Sequence, residues 1–399
     1  MDVQIILAVC FVFFMTLFLI IKRKNIVLQK ILHPFLYIIM YKSSFGIRFI
    51  NKFSEKFREL IKFFGYCCIG LGFVGMVYVT ISIFYFLYIL IISPVTVPGV
   101  SLVLPFTHVP GIGYLSFLHW IAAIFVLALV HEFSHGIVAR AHGLSIESSG
   151  FAFLAVFVPI IPAAFVEPDE KKMSKQPDVI QYSIFAAGPM ANIVLAVLIL
   201  FAMPYVIDST KLAPFEGKIT EPIGFSFDII NDTLPAAQAG LKSGMVVTEF
   251  NGKPVTDANY FIETMYYRTN PGDVVTFIAN DESYSVESVN VDGRAIIGIE
   301  KIQNERRMLP KYEFVKHPYY WTKDLFKWLF LLNLFIGLFN LLPLGIVDGG
   351  LMMGTLLKKT IKDEKKAKKL WGVISFLLFA ILILGLISTY FGNPFALFR

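Results

Sequence analysis

The uncharged run Ile121–Val130 leads directly into His131-Glu132-Phe133-Ser134-His135. A run of this kind suits the hydrocarbon core of a membrane, where an ionisable side chain is costly and marks a functional site. On a helix, residues four apart lie on one face, so His131 and His135 can bind one metal ion together. Glu132 lies one step round the helix, where its carboxylate can reach a water molecule on that metal.

The pattern His-Glu-x-x-His on a helix is typical of zinc metallopeptidases, in which the glutamate is the general base. A catalytic zinc ion needs three protein ligands and an open position, so a third ligand must come from elsewhere in the chain. Asp348 is the only ionisable residue between Lys327 and Lys358. Pro343 and Gly345 interrupt the helix before it, and irregular backbone at membrane depth is tolerated when it lines a polar cavity. We therefore predict that Asp348 is the third ligand.

The composition indicates a polytopic α-helical membrane protein. Hydrophobic residues make up 56% of the chain and aromatic residues 15%, and the mean hydropathy is +0.68, which exceeds that of a soluble domain. The net charge of +6 comes from short basic segments beside apolar spans, so it does not indicate nucleic-acid binding. Cys10, Cys67 and Cys68 fall in apolar segments and provide neither a disulfide framework nor a thiolate metal site. We predict about six transmembrane helices, near residues 3–21, 65–92, 117–141, 179–206, 322–344 and 370–391.

The positive-inside rule orients these spans in the cell membrane. The segments 22–62 and 358–369 contain ten and seven basic residues, and a third basic loop lies at 171–175. With the three basic loops in the cytoplasm, the six spans alternate and both termini lie outside. The segment 22–62 mixes aromatic, apolar and basic residues, so we predict one or two amphipathic helices on the membrane surface.

Residues 208–320 differ in kind from the rest of the chain. They include 16 acidic and 11 basic residues, short β-prone runs, and turns such as Asn251-Gly252. We predict a small α+β domain on the extracytoplasmic side. The sequence thus predicts four parts. Residues 1–62 form an N-terminal anchor with the basic amphipathic segment, and residues 63–207 form the first part of the membrane core. Residues 208–320 form the soluble domain, and residues 321–399 form the second part of the membrane core.

The run from Leu234 to Val255 resembles the PDZ domains of membrane and periplasmic proteases, although Met245 stands where those domains usually have an Asp. A PDZ domain binds peptides by adding a strand to an exposed sheet edge. The resemblance implies an edge near Gly224–Ile230 and a groove helix near Asp257–Arg268. The alternative is a spacer that occludes the site without binding any peptide.

Three segments together resemble the site-2 protease family of intramembrane zinc metalloproteases. They are His131–His135, the run Ala187-Gly188-Pro189-Met190-Ala191-Asn192, and the run Asn340–Gly350, which reads NLLPLGIVDGG. Their order, spacing and membrane context match over about residues 65–391. Gly345 stands where the family commonly has a second proline.

The resemblance implies that His131, His135 and Asp348 hold one zinc ion and that Glu132 activates the water. It also implies that two amides, Asn192 and Asn340, assist by stabilising an oxyanion or by pairing with the substrate backbone. Asn192 could equally form a hydrogen bond between helices. We interpret Gly188 and Pro189 as a close-packing kink.

The family also places a re-entrant β-hairpin at 149–166, where a strand edge could pair with an unwound substrate helix. The predicted function is regulated intramembrane proteolysis, with transmembrane protein substrates and the lipid bilayer as partners and no nucleic acid. The alternatives are a transporter of metal ions or protons and a catalytically inactive scaffold. Glu132 and the PDZ-like insert disfavour a transporter, and the four occupied positions of the motif disfavour a scaffold.

Overall fold

The computed structural model describes residues 3–32, 36–44, 46–92, 100–109, 112–156, 158–206, 214–291, 293–345 and 347–395. The chain divides into two units, Met1–Ala202 with Asp324–Arg399, and Met203–Lys323. The helices are α1 (Val3–Ile21), α2 (Ile47–Lys56), α3 (Arg58–Ile92), α4 (Phe117–Ala141), α5 (Glu170–Met173), α6 (Asp178–Val206), α7 (Pro214–Ile219), α8 (Pro235–Gln238), α9 (Asn259–Tyr267), α10 (Lys316–Asn340), α11 (Asp348–Thr360) and α12 (Glu364–Phe391). The strands are β1 (Ile26–Leu32), β2 (Leu36–Ser43), β3 (Thr107–Val109), β4 (Gly113–Leu115), β5 (Ile146–Val156), β6 (Val158–Pro168), β7 (Thr220–Ile229), β8 (Val246–Phe250), β9 (Lys253–Pro254), β10 (Val274–Ala279), β11 (Glu282–Glu287), β12 (Val289–Val291), β13 (Arg294–Ile296) and β14 (Ile299–Met308).

Five helices among the described residues are long and apolar enough to cross a membrane, namely α1, α3, α4, α6 and α12. They coincide with five of the six spans that the sequence predicts. The remaining predicted span, near 322–344, overlaps α10, which is 25 residues long. Lys323, Asp324 and Lys327 lie in the first half of α10, so its composition does not identify it as a membrane-spanning helix. The sixth crossing therefore stays a prediction.

Local sequence fixes where several of these helices begin. Ser116 caps α4, because its side chain accepts a hydrogen bond from His119 N. Asp363 caps α12 by accepting from the backbone N–H groups of Lys365 and Lys366. Such caps satisfy donors that a helix start leaves without an intrahelical partner.

The first unit contains an antiparallel sheet with the strand order β1-β2-β5-β6. The prediction of amphipathic helices over 22–62 is therefore wrong for residues 26–32 and 36–43, which form β1 and β2. It is correct for α2, which is helical. β2 is rich in β-branched and aromatic residues, which favour strands. β2 also pairs in continuous register with β5, from Tyr37 opposite Ala155 to Ser43 opposite Ser149.

Close helix packing in the first unit depends on glycines. A Cβ atom added to Gly75 would lie 2.6 Å from Leu341 Cδ1, and one added to Gly72 would lie 3.2 Å from Ala186 Cβ. α3 therefore lies directly against α6 and the segment that follows α10. Small residues of this kind let membrane helices approach closely.

The second unit contains a sheet with the order β11-β10-β8-β7-β14, and β9 pairs with β8. Its core is aromatic, and Phe225, Phe250 and Phe277 are each at most 1% exposed. The predicted groove helix corresponds to α9. The predicted edge at Gly224–Ile230 is wrong, because β7 pairs with β8 on one side and with β14 on the other. β14 ends the sheet instead, and its many charged residues are typical of edge strands.

Candidate metal centre

Three potential metal ligands meet where α4 and the start of α11 approach each other. His131 Nε2 lies 3.1 Å from His135 Nε2, because the two histidines lie one helical turn apart on α4. The Asp348 carboxylate faces both rings, with Oδ2 3.0 Å from His131 Nε2 and Oδ1 3.4 Å from His135 Nε2. The structure thus brings the three sequence-predicted ligands together.

The separations suit one zinc ion. Ligand atoms about 2.0–2.1 Å from a tetrahedral zinc ion lie roughly 3.3 Å from each other, and the three distances here are 3.0, 3.1 and 3.4 Å. Two imidazole nitrogens and one carboxylate also match the donor set of catalytic zinc sites, which keep a fourth position open. The residues present therefore fit the metal that the sequence predicts.

Glycine at position 188 provides the space for an ion between the histidines. A Cβ atom at Gly188 would lie 2.8 Å from His131 Nε2 and closer still to His135 Nε2. The backbone of α6 therefore forms one wall of the ligand cluster. The interpretation of Gly188 as a simple packing kink missed this contact, for which the signal was a glycine in the middle of an apolar helix.

Asp348 reaches the histidines because the chain folds tightly after α10. Gly349 and Gly350 lie directly against the backbone of Leu341, Leu342 and Leu344, so that a Cβ atom at either glycine would clash. The close approach lets α11 begin at Asp348, beside α4. The run Asp-Gly-Gly therefore combines one ligand with two residues that permit the turn.

α12 holds this turn in place through two side chains. Trp371 Nε1 donates to Gly350 O at 2.8 Å. Ser375 Oγ accepts a hydrogen bond from Gly345 N at 3.1 Å and donates to Pro343 O at 3.4 Å. These bonds satisfy backbone groups that irregular chain leaves without partners.

Hydrogen bonds from α6 orient both imidazoles. His135 Nδ1 donates to Ile184 O at 2.7 Å, which leaves the lone pair of Nε2 directed at the cluster. The Asn192 amide lies 3.3 Å from His131 Nδ1, and Asn192 is fully buried. An amide can be turned by 180° without a change of shape. Metal binding through His131 Nε2 leaves the ring proton on Nδ1, so we orient the amide with Oδ1 accepting that proton.

This position bears on the predicted role of Asn192. The amide contacts His131 on the ring nitrogen opposite the one that faces Asp348, so it touches a ligand rather than the space for substrate. The geometry favours the inter-helix hydrogen bond over an oxyanion contact. Asn340 donates through Nδ2 to Ile336 O, one turn back on α10, at 3.0 Å, and its predicted contact with substrate stays a prediction.

Glu132 lies outside the ligand cluster and contacts the β5–β6 hairpin. Its Oε2 accepts a hydrogen bond from Val166 N, on β6, at 3.2 Å. The side chain is half-buried. β6 is the last strand at one end of the sheet. The Glu132 carboxylate, beside the histidines, is therefore hydrogen-bonded to an edge strand.

Comparison with known proteins places this centre in a family. The model of Peptidase family M50 matches residues 119–384, more than half of the chain. An uncharacterized protein of Methanocaldococcus jannaschii is 29% identical over 237 residues, which are 58% of this chain and 55% of that protein. A Neisseria meningitidis protein described as a "putative zinc metalloprotease" is 31% identical over 164 residues, which are 35% of this chain and 34% of that protein. The chain thus spans about half or less of the length of these relatives.

The family match includes both parts of the metal centre, since residues 119–384 contain the histidine motif and Asp348. The predicted resemblance to site-2 proteases is confirmed at the level of the family. Together with the five apolar helices, the match identifies a multi-pass membrane protein. The chain belongs to Peptidase family M50, a family of zinc metalloproteases.

Proposed function

We propose that the protein is an intramembrane zinc metalloprotease that hydrolyses a peptide bond within or near a transmembrane segment of other membrane proteins. The observation that carries the proposal is the convergence of His131, His135 and Asp348 from two helices, with Glu132 adjacent on α4. Ionisable side chains in apolar helices cost free energy and therefore mark functional sites. Metal-dependent hydrolysis of a peptide bond requires such a set of metal ligands together with a base.

His131, His135 and Asp348 would hold the zinc ion. When bound, the ion polarises a carbonyl group and acidifies water. Glu132 accepts a proton from the attacking water and passes it to the leaving amine. The hydrogen bond from Val166 N fixes one carboxylate oxygen and leaves the other available for this transfer.

The substrate binds as an extended strand along β6. A transmembrane helix must unwind before its backbone reaches the metal, and unwound backbone needs partners at membrane depth. Val166 N–H points away from β5 toward Glu132, and alternate residues of a strand point the same way, so Ala164 N–H faces the same side of β6. Pro162 and Pro168 share that side and have no N–H, which confines donation to the stretch beside Glu132. The hairpin is re-entrant in this proposal.

The basic loops lie in the cytoplasm and the second unit lies outside, with α10 as a sixth crossing. The asymmetry of Lys and Arg along the sequence supports this topology. In the second unit, a peptide adds to β14, across from α9. A cavity of about 700 Å³ between α9 and residues 294–302 supports a PDZ-like role in substrate selection.

The test uses the purified full-length protein and a panel of membrane-spanning substrates in detergent or vesicles. We expect cleavage that a zinc chelator abolishes, that added zinc restores, and that Glu132→Gln lacks. Cleavage that persists in Glu132→Gln would contradict the proposed base. Zinc or proton flux through vesicles that contain the protein, without any cleavage, would favour a transporter.

A further inference from the structure

A second cavity, of about 300 Å³, lies between α6, α11 and α12, behind the turn that carries Asp348. Its buried part is apolar, and its exposed part is charged. The residues that characterise it are Phe185, Gly350 and Trp371 in the deeper part and Lys358, Glu364 and Lys368 at the opening.

The cavity lies where three helices pass from polar to apolar sequence. Gln181 is in the first turn of α6, Lys358 is in the last turn of α11, and Glu364 is in the first turn of α12. The uncharged part of α12 begins immediately after Lys369. The opening is therefore at the level of a membrane surface, and the apolar floor points toward the hydrocarbon core.

The two lysines at the opening are available to a ligand. Lys359 and Lys366, their neighbours, pair with Asp178 at 3.0 Å and with Asp363 at 3.8 Å. Within the described part of the chain, neither Lys358 nor Lys368 makes an ion pair. Glu364 contributes one negative charge to the same cavity, so the opening has a net positive charge.

We propose that this cavity binds the headgroup of an anionic phospholipid from the surrounding bilayer. The lipid phosphate lies between Lys358 and Lys368, and the acyl chains leave past Leu351 and Leu370, each of which is 42% exposed. A basic pocket between transmembrane helices at the membrane surface has the chemistry that selects such lipids. The combination of an apolar floor and a charged opening favours an amphiphile over a free anion.

A lipid in this position would stabilise the metal-binding turn. Trp371 lines the cavity and donates to Gly350 O, and Gly350 is two residues after Asp348. A ligand that bridges α11 and α12 holds these two helices in the arrangement that this hydrogen bond requires. The inference does not rest on the proposed protease activity, because it concerns binding and stability.

The test measures thermal unfolding of the purified full-length protein in neutral detergent with added phosphatidylglycerol or phosphatidylcholine. We expect phosphatidylglycerol to raise the unfolding midpoint in a saturable way and phosphatidylcholine to leave it unchanged. Lys358→Gln/Lys368→Gln should weaken the apparent affinity for phosphatidylglycerol about thirty-fold. Lys362→Gln/Lys365→Gln removes the same charge outside the cavity and should retain the affinity.

Gly354 offers a variant that changes no charge. A Cβ atom there would make only ordinary contacts with Trp371, the nearest at 3.5 Å, so Gly354→Leu should fold while it fills the cavity, and should lose the response to phosphatidylglycerol. Three results would overturn the proposal: equal stabilisation by phosphatidylcholine, the same shift with inorganic phosphate alone, or equal losses in the two double-lysine variants. The second result would assign a free-anion site, and the third would assign diffuse attraction to the basic surface.

Discussion

At the scale of single residues, the metal centre depends on three ligands and on glycines that leave room for them. Gly188 keeps the space beside the histidines clear, and Gly349 and Gly350 let Asp348 arrive there. Gly188 lies against the ligand histidines, and Gly349 and Gly350 lie against the backbone that precedes Asp348. A larger side chain at any of these positions would displace a part of the metal centre. The ligand residues supply the chemistry, and the glycines allow the helices to bring them together.

Zinc binding and proteolysis should separate by residue. Glu132→Gln should keep near-stoichiometric zinc and lose about 10²–10⁴ in cleavage rate, because the ligands remain while the proton acceptor is gone. Asp348→Ala should lose the metal, since two remaining ligands bind a divalent ion poorly. Metal analysis of the purified variants measures both. Full zinc content in Asp348→Ala would show that Asp348 is not a ligand.

Asn192 should act on metal affinity through His131. Asn192→Leu removes the acceptor for His131 Nδ1–H and should weaken zinc binding about 10–100-fold in competition with a chelator. Asn192→Asp retains an acceptor at the same position. Its zinc affinity should therefore stay close to the native affinity and exceed that of Asn192→Leu. A residue that only packs two helices would give equal zinc affinities in the two variants, and that result would contradict the orientation of the amide.

The sequence predicted the ligands because each leaves a local signal. His131 and His135 follow from helical spacing, and Asp348 follows from its isolation in an apolar segment. The contacts of Gly188 and Asn192 with the histidines could not be assigned in this way, because a glycine within an apolar helix indicates close packing without indicating which residue it packs against. They depend on how α6 crosses α4, which tertiary packing determines and which no periodicity within either helix encodes.

At the scale of elements, the edge of β6 beside Glu132 provides the most specific test of substrate binding. Ala164→Pro removes an outward N–H without removing a bond to β5, and proline is tolerated on an edge strand in this orientation. We expect zinc to be retained and kcat/KM to fall roughly five- to ten-fold, the effect of one lost hydrogen bond. Ala164→Ser keeps the N–H and serves as the control. Equal activities in the two variants would argue against strand pairing at Ala164.

Two elements were predicted wrongly for related reasons. Residues 26–43 have a mixed composition that also fits an amphipathic helix, and pairing of β2 with β5 decides for the strand. In the second unit, the sequence predicts an edge at Gly224–Ile230, but β14 pairs with β7 along most of the length of β7. In both cases the deciding partner is distant in sequence, and a pattern within one segment does not reveal such partners.

At the scale of the whole molecule, the topology can be tested by thiol labelling. In a background in which Cys10, Cys67 and Cys68 are replaced by alanine, Ser285→Cys should react with an impermeant reagent added outside intact cells. Lys362→Cys should react only after the cells are opened. Both positions are exposed, so burial does not account for a difference. The reverse pattern would overturn the orientation drawn from the distribution of Lys and Arg.

The second unit should select substrates without contributing to the chemistry. Every residue assigned to the metal centre, to its orientation and to proton transfer belongs to the first unit. Thr220 and Met308 are paired at the ends of β7 and β14, so a short Gly/Ser linker can replace the residues between them without stretching the chain. Because their pairing brings the two ends of the excised segment together, the remaining membrane helices keep their connection.

We expect that linker variant to retain zinc and to cleave a good model substrate at a measurable rate. Its preference among a panel of substrates should change, because the groove between α9 and β14 is absent. The control replaces Gly298, which has φ +91° and lies beside that groove, with valine. This change should strain the groove within the otherwise complete protein, so it should alter the preference among the same substrates. Complete loss of cleavage in a linker variant that folds and binds zinc would show that the second unit takes part in catalysis.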